Sequence, residues 1–502
     1  MTRTRRTVLA LFIAASLLTT VMAHEDQGAD QAPLAQEQPI VFADVSVFDG
    51  EALLPPTDVL VEAGQITAVG DDLEVPDDAQ VIDGSGKTLL PGLIDAHVHT
   101  FTPAMLQQAL VFGVTTVYDM FTDEAFAAQM RAEQAAGAAN YRADTLSAGT
   151  LATAPGGHGT QFGIDIDTLT SPDQAEGWIE DRVAAGADYI KVVIEEFAAM
   201  GQPPLPTLDA ATVEAVIAAA HEHDLLTITH VQILAAAQAA VAAGSDGLAH
   251  MFSDAVPTPE LIDQMVAQGT FVIPTLSVFQ SIGPDDPVDE TLATDPNIAP
   301  FLTPADLQSL ANPYQTDGTL ALANASEGVA LLHEAGVPIL AGTDAPNPGT
   351  AYGASMHREL ELLTQSGLTA SQALSAATAV NARVFGLDDR GRIAPGLVAD
   401  LLLVNGDPTQ DILATRDIAG IWKRGVPVDR AAYSDALASA QESAAAQGQA
   451  LAEGETAPVS DFEAGDLSVG FGSEWVPTTD VQAGGDSTAN IEVVEGLSLI
   501  HI

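Results

Sequence analysis

The sequence of 502 residues contains no cysteine, only three lysines and only three tryptophans. The absence of cysteine excludes disulfide bonds, thiol nucleophiles and cysteine-ligated zinc. Basic residues are also scarce, since 16 Lys and Arg stand against 69 Asp and Glu, for a formal net charge of −53. Nucleic acid and anionic membrane surfaces repel so acidic a chain, so we expect neither as a partner.

The chain is nevertheless rich in apolar residues, which make up 47% of it at a mean hydropathy of +0.19. That content excludes intrinsic disorder. The length of the chain, at roughly 150 residues per domain, predicts about three folded domains. An acid-rich, lysine-poor surface with a pI near 4.1 is typical of proteins in concentrated salt, where self-repulsion is screened. We therefore expect a halophilic source, with an ordinary acidic secreted protein as the alternative.

The first 23 residues have the organisation of an export signal. Three arginines precede an apolar run from Val8 to Val21, and small residues precede a cleavage site after Ala23. The run is shorter than the roughly 20 residues that span a bilayer, so an uncleaved anchor is the less favoured alternative. The Arg5-Arg6 pair resembles a twin-arginine signal. We expect a periplasmic or extracellular protein that has no membrane association once the signal is removed.

Composition and turn residues divide the rest of the chain into segments. Short β-strands punctuated by Gly and Asp occur on both sides of a central α/β region, and we expect these two flanks to form one small composite β-sandwich. The predicted divisions are a flexible linker (24–38), the N-terminal flank of the sandwich (39–91), an α/β barrel (92–388), the C-terminal flank of the sandwich (389–430), a helical linker (431–457), a partial β-sandwich tail (458–496) and a non-native end (497–502).

The central region alternates short apolar runs with Ala-rich amphipathic segments, which is typical of a parallel α/β sheet. Eight strands are predicted: Leu93–Thr100, Val111–Met120, Tyr141–Thr150, Ala187–Ile194, Leu225–Val231, Gly247–Phe252, Thr270–Leu276 and Pro338–Ala345. Because no Gly-rich phosphate loop follows the first strand, a (β/α)8 TIM barrel is favoured over an open doubly wound sheet. The segment Ser277–Pro313 is too long for a plain connection and is predicted to be an active-site lid or rim.

Residues able to bind metal occur at the carboxyl ends of the predicted strands, where a barrel builds its active site. They are His97, His99, Lys191, His230, His250 and Asp344. His97 and His99 are two residues apart on a strand, so both imidazoles point to one face and can share a metal ion. A single histidine at a strand end is more often an ordinary buried polar residue, so the evidence lies in their joint occurrence.

Lys191 is the most informative of these residues. It is one of only three lysines and lies within the apolar run from Tyr189 to Ile194. A buried ammonium there would be costly unless it were neutralised or modified. His357, Arg358 and Glu359, by contrast, open a helix after the last strand, and we expect them to be structural or to support the site.

Three motifs carry a resemblance to a known family: Pro91–His99 (PGLIDAHVH), Gly342–Ala345 (GTDA) and Gly391–Leu401 (GRIAPGLVADL). Over about residues 39–430, the sequence resembles the amidohydrolase superfamily, in the branch that has a binuclear metal centre and includes imidazolonepropionases and Xaa-Pro dipeptidases. The resemblance implies a metal-dependent hydrolase acting on carbon–nitrogen bonds other than ordinary peptide bonds.

The same resemblance implies a set of ligands for two divalent metal ions, usually zinc. The implied ligands are His97, His99 and Asp344 for the more buried metal, His230 and His250 for the outer metal, and Lys191, carboxylated by carbon dioxide, as the bridge. It also implies that a water shared by the two metals attacks the substrate. Asp344 would accept the proton of that water as general base and pass it to the leaving amine as general acid.

A glycine-rich loop, Gly156–Gly157–His158–Gly159, follows the third predicted barrel strand. It resembles the loop of branch members that cleave Xaa-Pro dipeptides or N-acyl amino acids, which implies that His158 contacts the carbonyl or carboxylate of the substrate. The alternative is a flexible loop with an incidental histidine. The run from Val192 to Glu196 departs from the Gly-rich sequence expected of dipeptidase members, which leaves the substrate open.

The sequence thus predicts an exported amidohydrolase that acts on a small amide, dipeptide-like or N-acyl amino acid substrate. One alternative keeps the same centre for esters, lactones or deamination, because fold and metals do not determine the scissile bond. Another is a non-catalytic, metal-stabilised barrel with a binding tail. The oligomeric state is left open, a homo-oligomer included.

The C-terminal tail has a resemblance of its own. From Ser460 onward it resembles the opening of the β-sandwich domain of the complex I intermediate-associated family, of which only a fraction would be present. The last six residues, 497–502, match a translated sequencing-adapter end, so we expect that they are not native.

Overall fold

The computed structural model describes residues 38–283, 291–314, 316–452, 490–494 and 497–501. The chain divides into two compact units, one of Ala32–Arg430 and one of Met1–Gln31 with Ala431–Ile502. The predicted signal peptide, the flexible linker up to residue 37, residues 453–457 of the helical linker, and residues 458–489 and 495–496 of the predicted tail lie outside the described residues. In the described part of the chain, no helix combines the length and apolarity needed to cross a bilayer.

Strands and helices alternate through most of the larger unit. The strands are β1 (Ile40–Phe48), β2 (Leu53–Glu62), β3 (Gln65–Gly70), β4 (Gln80–Asp83), β5 (Lys87–Pro91), β6 (Leu93–Val98), β7 (Val114–Asp119), β8 (Asp144–Ser147), β9 (Ile190–Val193), β10 (Thr227–His230), β11 (Gly247–Ala249), β12 (Phe271–Ile273), β13 (Leu401–Asn405), β14 (Ile418–Lys423), β15 (Val426–Pro427), β16 (Asn490–Val494) and β17 (Leu497–His501). The α-helices are α1 (Pro103–Val111), α2 (Glu124–Ala135), α3 (Ala175–Ala185), α4 (Ala210–Glu222), α5 (Leu234–Ala242), α6 (Pro259–Gln268), α7 (Leu276–Ile282), α8 (Thr291–Thr294), α9 (Pro304–Ala311), α10 (Leu322–Glu334), α11 (Ala354–Gln365), α12 (Ala370–Ala376), α13 (Ala379–Val384) and α14 (Arg430–Ala452).

The two β-rich flanks of the larger unit form one eight-stranded sheet. Its order is β15-β14-β13-β5-β1-β2-β3, and β4 pairs with β1. β5 joins the flanks, because it pairs parallel with β1 and antiparallel with β13. Phe42 and Trp422, one from each flank, pack edge to face at 4.7 Å between ring centroids. The pairing of the flanks is therefore as expected, whereas the two-layered sandwich stays a prediction.

The central region is built on parallel strands with helices between them. β6, β7 and β8 form one parallel sheet, and β9 to β12 form a second. Isolated parallel bridges join Ala152 to Val192 and Val272 to Ile339, and a third joins Val98 to Ala345. The predicted class, α/β with parallel strands, is confirmed at this level.

The predicted eighth strand, Pro338–Ala345, is wrong as a regular strand, because the segment makes only the two bridges at Ile339 and Ala345. Its backbone leaves the extended conformation at Asp344, where φ is 58°. It nevertheless packs closely on β6, since a Cβ on Gly342 would lie 2.9 Å from the backbone nitrogen of His97. Glycine at that position lets the segment that carries Asp344 approach the strand that carries His97.

Several helices begin at side chains that accept hydrogen bonds from otherwise unpaired backbone N–H groups. Asp123 caps α2, Asp209 caps α4 and Thr258 caps α6. Each of these helices follows the end of a parallel strand. The caps therefore fix the residue at which each helix begins after its strand.

The segment predicted as a lid or rim is largely helical. It contains α7, α8 and α9, and residues 284–290 lie outside the described residues. Leu292, Ile298 and Leu310 are buried in one apolar cluster with Phe112. The segment is therefore a helical insertion rather than a plain connection, and its role as an active-site lid or rim stays a prediction.

A buried ion cluster ties the flanking sheet to the parallel sheet. Lys423, fully buried at the end of β14, donates from Nζ to Asp400 at 2.6 Å and to Asp144 of β8 at 2.9 Å. Arg390 and Arg424 also bond to Asp144, at 2.6 and 2.7 Å. Burial alone would raise the pKa of Asp144, but these three cations hold it below its usual range. The cluster is stable only while all its charges are paired.

Replacing Lys423 with Met should therefore lower the free energy of unfolding by about 3–5 kcal/mol, because two buried carboxylates lose a cation. Urea unfolding followed by circular dichroism measures the change. Lys87→Met is the matched control, since the Lys87 ammonium is exposed and donates to a backbone carbonyl. Equal loss of stability in the two variants would contradict a structural role for the cluster.

Candidate metal centre

Two histidines and an aspartate form a compact group at the end of β6. The Nε2 atoms of His97 and His99 lie 3.3 and 3.0 Å from Oδ1 of Asp344. One ligand atom from each of the three residues lies within 4.8 Å of the others. His97 is fully buried and Asp344 nearly so. Two imidazole nitrogens and a carboxylate oxygen are donors that a zinc ion accepts.

Two further histidines extend this group. His230 ends β10 and His250 follows β11, and their facing ring nitrogens lie 3.1 Å apart. The Nδ1 atom of His250 lies 3.8 Å from Oδ2 of Asp344, and its ring centroid is 4.7 Å from that of His97. The residues expected to converge from separate strand ends thus lie together in the structure.

Lys191 lies in the middle of β9 and is 2% exposed. Its Nζ atom has no hydrogen-bond partner among the residues that the structure describes. Burial lowers the pKa of Lys191 to about 7, although the charges of Asp344 and Asp119 act in the opposite direction. A large fraction of this amine is therefore neutral and nucleophilic near pH 7.

The residues present fit metal ions, because the buried centre holds many polar atoms without partners. In the described part of the chain these include both ring nitrogens of His97, Nδ1 of His99, Nε2 of His230, Nζ of Lys191 and Oδ1 of Asp344. A buried polar atom left unpaired costs about 1–3 kcal/mol, so such a concentration calls for a ligand. Burial also lowers the pKa of His250 to about 3 and that of His230 well below its usual value. Neutral imidazole is the form that binds a cation.

The backbone is strained beside this group. His250, Thr275 and Asp344 have φ values of 73°, 50° and 58°, in the left-handed region that non-glycine residues rarely adopt. The hydroxyl of Thr275 lies 2.8 Å from Nδ1 of His250. Strain of this kind persists only where surrounding contacts hold it, and it is concentrated at functional sites.

Glu359 fixes the backbone of the two residues that directly follow Thr275. The Glu359 carboxylate on α11 accepts hydrogen bonds from the backbone nitrogens of Leu276 and Ser277, at 3.0 and 2.7 Å. Burial raises the pKa of Glu359 to about 8, and these hydrogen bonds act against the rise. The expectation that Glu359 is structural or supporting agrees with these contacts, but its link to Thr275 was not predicted.

Asp95 supports the other side of the centre and was missed as a functional residue. It accepts hydrogen bonds from Thr343 Oγ1 at 2.7 Å and from the nitrogens of Thr343 and His97 at 3.0 and 3.1 Å. Burial raises the pKa of Asp95 to about 7, against the effect of these bonds. The signal was available, because Asp95, His97 and His99 alternate along one strand and so share a face.

His158 lies beside the outer part of the cluster, with its ring centroid 5.5 Å from that of His230. Its Nδ1 atom is 3.0 Å from Nε2 of Gln161, whose Oε1 accepts the backbone N–H of Gly159 at 2.8 Å. That second bond sets the orientation of the Gln161 amide, so Nε2 of Gln161 donates to His158. The proton of His158 is therefore on its Nε2 atom.

Comparisons with known proteins agree with this arrangement. The model of the amidohydrolase family matches residues 88–429. An imidazolonepropionase from Streptomyces coelicolor is 27% identical over 394 residues, which cover 73% of this chain and 91% of that protein. A dihydroorotase from Mycobacterium tuberculosis is 54% identical over only 46 residues, so this chain spans 11% of its length.

A solved structure shows the same fold. The crystal structure of a Xaa-Pro dipeptidase with bound methionine covers 78% of this chain and 100% of its own, at a TM-score of 0.62 and 22% identity. The family match covers most of the chain and includes every residue of the histidine, lysine and aspartate cluster. The chain therefore belongs to the amidohydrolase family and is a hydrolase acting on carbon–nitrogen bonds.

Proposed function

We propose that this protein hydrolyses the amide bond of a small or dipeptide-like molecule with the help of two divalent metal ions, which we expect to be zinc. The observation that carries the proposal is the buried concentration of unpaired nitrogen and oxygen atoms around Lys191. The residues that would hold the ions are His97, His99 and Asp344 for one, His230 and His250 for the other, and Lys191 as the bridge.

Lys191 has the environment that carboxylation requires. Attack on carbon dioxide needs a neutral amine, and burial lowers the pKa of Lys191 to about 7. The reaction forms an N–C bond and releases a proton, so a cation that is costly to bury becomes an anionic oxygen ligand. Carboxylation and metal binding would therefore account both for the buried Nζ atom, which has no hydrogen-bond partner among the described residues, and for the histidines around it.

The residues of the chain then divide the work of hydrolysis. When bound, two divalent ions lower the pKa of a shared water and polarise the scissile carbonyl. Burial alone would raise the pKa of Asp344, but His250 and His99 lower it, so Asp344 is a carboxylate at neutral pH. It accepts the proton of the water and returns it to the leaving amine. His158 donates a hydrogen bond from Nε2 to the carbonyl oxygen of the substrate.

Two finer features of the architecture and setting belong to the same proposal. The seven parallel strands, β6 to β12, and the irregular segment Pro338–Ala345 close into a (β/α)8 barrel, which the three isolated bridges support. The protein is exported by the signal in residues 1–23, which is then removed, and works in concentrated salt, which the signal-like start and the net charge of −53 support.

Metal content tests the bridge directly. Protein prepared with bicarbonate and zinc should contain two metal ions per chain by elemental analysis, and Lys191→Ala should lose one or both, because the bridging oxygens are gone. Lys87→Ala is the matched control and should keep two. One ion per chain in both the wild type and Lys191→Ala would contradict the bridge.

Asp344→Asn should lower kcat by about 10²–10⁴-fold, because asparagine keeps an oxygen ligand but cannot accept a proton. Steady-state kinetics together with metal analysis separates the two roles, and the loss of rate should exceed the loss of metal. The exposed Asp388 provides a control as Asp388→Asn. Full activity in Asp344→Asn would exclude its role as the base.

His158→Ala should lower kcat by about 10²–10³-fold, the effect of removing one donor to the developing oxyanion. Metal content should not change, because His158 is not among the ligands. His221→Ala is the control, since His221 lies in the last turn of α4, pairs with Asp246 and has a side chain that is 43% exposed. An unchanged kcat would mean that the glycine-rich loop plays no part in the chemistry.

A further inference from the structure

The segments that surround the metal centre contain no cation. The centre lies at the carboxyl ends of the parallel strands, so the segments that follow those strands form its surroundings. Among the described residues these segments are 99–102, 120–123, 148–171, 194–209, 231–233, 250–258, 274–283, 291–314, 316–321 and 345–353, and none of them contains a lysine or an arginine. Between Lys191 and Arg358 the chain has 20 Asp and Glu and no Lys or Arg at all.

The arginines of the neighbouring helices are already paired. Arg182 of α3 lies 3.0 Å from a carboxylate oxygen of Glu124 and also bonds Thr150. Arg358 of α11 lies 2.7 Å from a carboxylate oxygen of Glu361 and donates to Gln280 at 3.0 Å. Recruiting either arginine for a ligand would break an existing ion pair.

Aromatic rings lie beside the histidines of the centre. The ring of Phe197 is centred 4.5 Å from that of His158 and 5.2 Å from that of His230. Phe162 lies 5.4 Å from His158, and Phe279 lies 6.1 Å from His250. Three neutral, apolar rings therefore lie beside these histidines, and the Nε2–H group of His158 is a neutral hydrogen-bond donor among them.

We propose that the substrate of this site is an uncharged amide with an aromatic or other apolar group, and that it has no free carboxylate beside the scissile bond. The inference rests on the proposed function and narrows its substrate class. It departs from the dipeptides and N-acyl amino acids expected from the glycine-rich loop, because those carry a carboxylate.

The physical reason is the lack of a partner for that carboxylate. A carboxylate that enters the apolar surroundings loses its hydration without gaining a cation, and the acidic segments repel it. A carboxylate that bound the metal ions instead would displace the attacking water. Recognition of such a substrate would thus need a lysine or arginine that these segments do not contain.

Two chromogenic amides that differ by one carboxylate test the proposal. Phenylacetyl-p-nitroanilide has a neutral leaving amine, and the phenylacetyl amide of 5-amino-2-nitrobenzoate has the same amine with a carboxylate added. On the two-metal protein, kcat/KM should be at least about tenfold higher for the neutral amide, since like charges disfavour binding. The ratio should shrink as salt screens the repulsion. A ratio of one or below overturns the proposal.

A charge-introducing variant checks the cause. Phe197→Arg should raise the preference for the carboxylate-bearing amide at least about tenfold relative to Phe197→Met, which removes the ring without adding charge. Identical preferences in the two variants would show that the missing cation is not what selects against the carboxylate.

Binding of the two free leaving amines, p-nitroaniline and 5-amino-2-nitrobenzoate, distinguishes a failure of this proposal from a failure of the proposed function. Their binding to the wild-type protein is measured by saturation-transfer NMR, which needs no turnover. We expect p-nitroaniline to bind more tightly than 5-amino-2-nitrobenzoate, and the reverse order overturns the inference. If neither amide is hydrolysed while two metal ions are bound and p-nitroaniline still binds more tightly, the proposed amide hydrolysis fails and the selection against carboxylates stands.

Discussion

The structure depends on one costly feature, the burial of the Lys191 amine in the middle of a parallel strand. An ammonium at 2% exposure with no partner in the described part of the chain would oppose folding. His97, His99, His230 and Asp344 make the same demand, since each has a buried nitrogen or oxygen without a hydrogen-bond partner among the described residues. The proposed metal ions and carboxylated lysine would meet all of these demands together. In this account, folding, carboxylation and metal binding are therefore coupled, and the fold is most stable when the site is complete.

Supports outside the ligand set hold this arrangement. Asp95 bonds the chain at Thr343, next to Asp344, and Glu359 bonds the backbone that follows the strained Thr275. At the amino end of β8, Lys423 pairs with Asp144 and joins the flanking sheet to the parallel strands. Rigid strands and paired buried charges thus keep the ligands in place, while the segments after the strands are free to determine which substrate enters.

The clustering of the proposed ligands could be predicted from the sequence, because strand alternation brings His97 and His99 to one face and strand ends meet at one edge of a sheet. The supports could not, because the bond from Glu359 to the start of α7 joins residues more than 80 positions apart and depends on how the helices pack. The eighth strand was predicted as regular because its composition is apolar. The left-handed backbone at Asp344 and the close packing at Gly342 are tertiary effects that override such a pattern.

The carbon bound to Lys191 is the most direct test of this account. Protein loaded with zinc in ¹³C-labelled bicarbonate should give one ¹³C NMR signal of a carbamate, and Lys191→Ala prepared in the same way should lack it. The account predicts that the signal disappears when the metal ions are removed at low pH and returns when bicarbonate and zinc are restored. A fully loaded, active wild-type protein without a carbamate signal would contradict it.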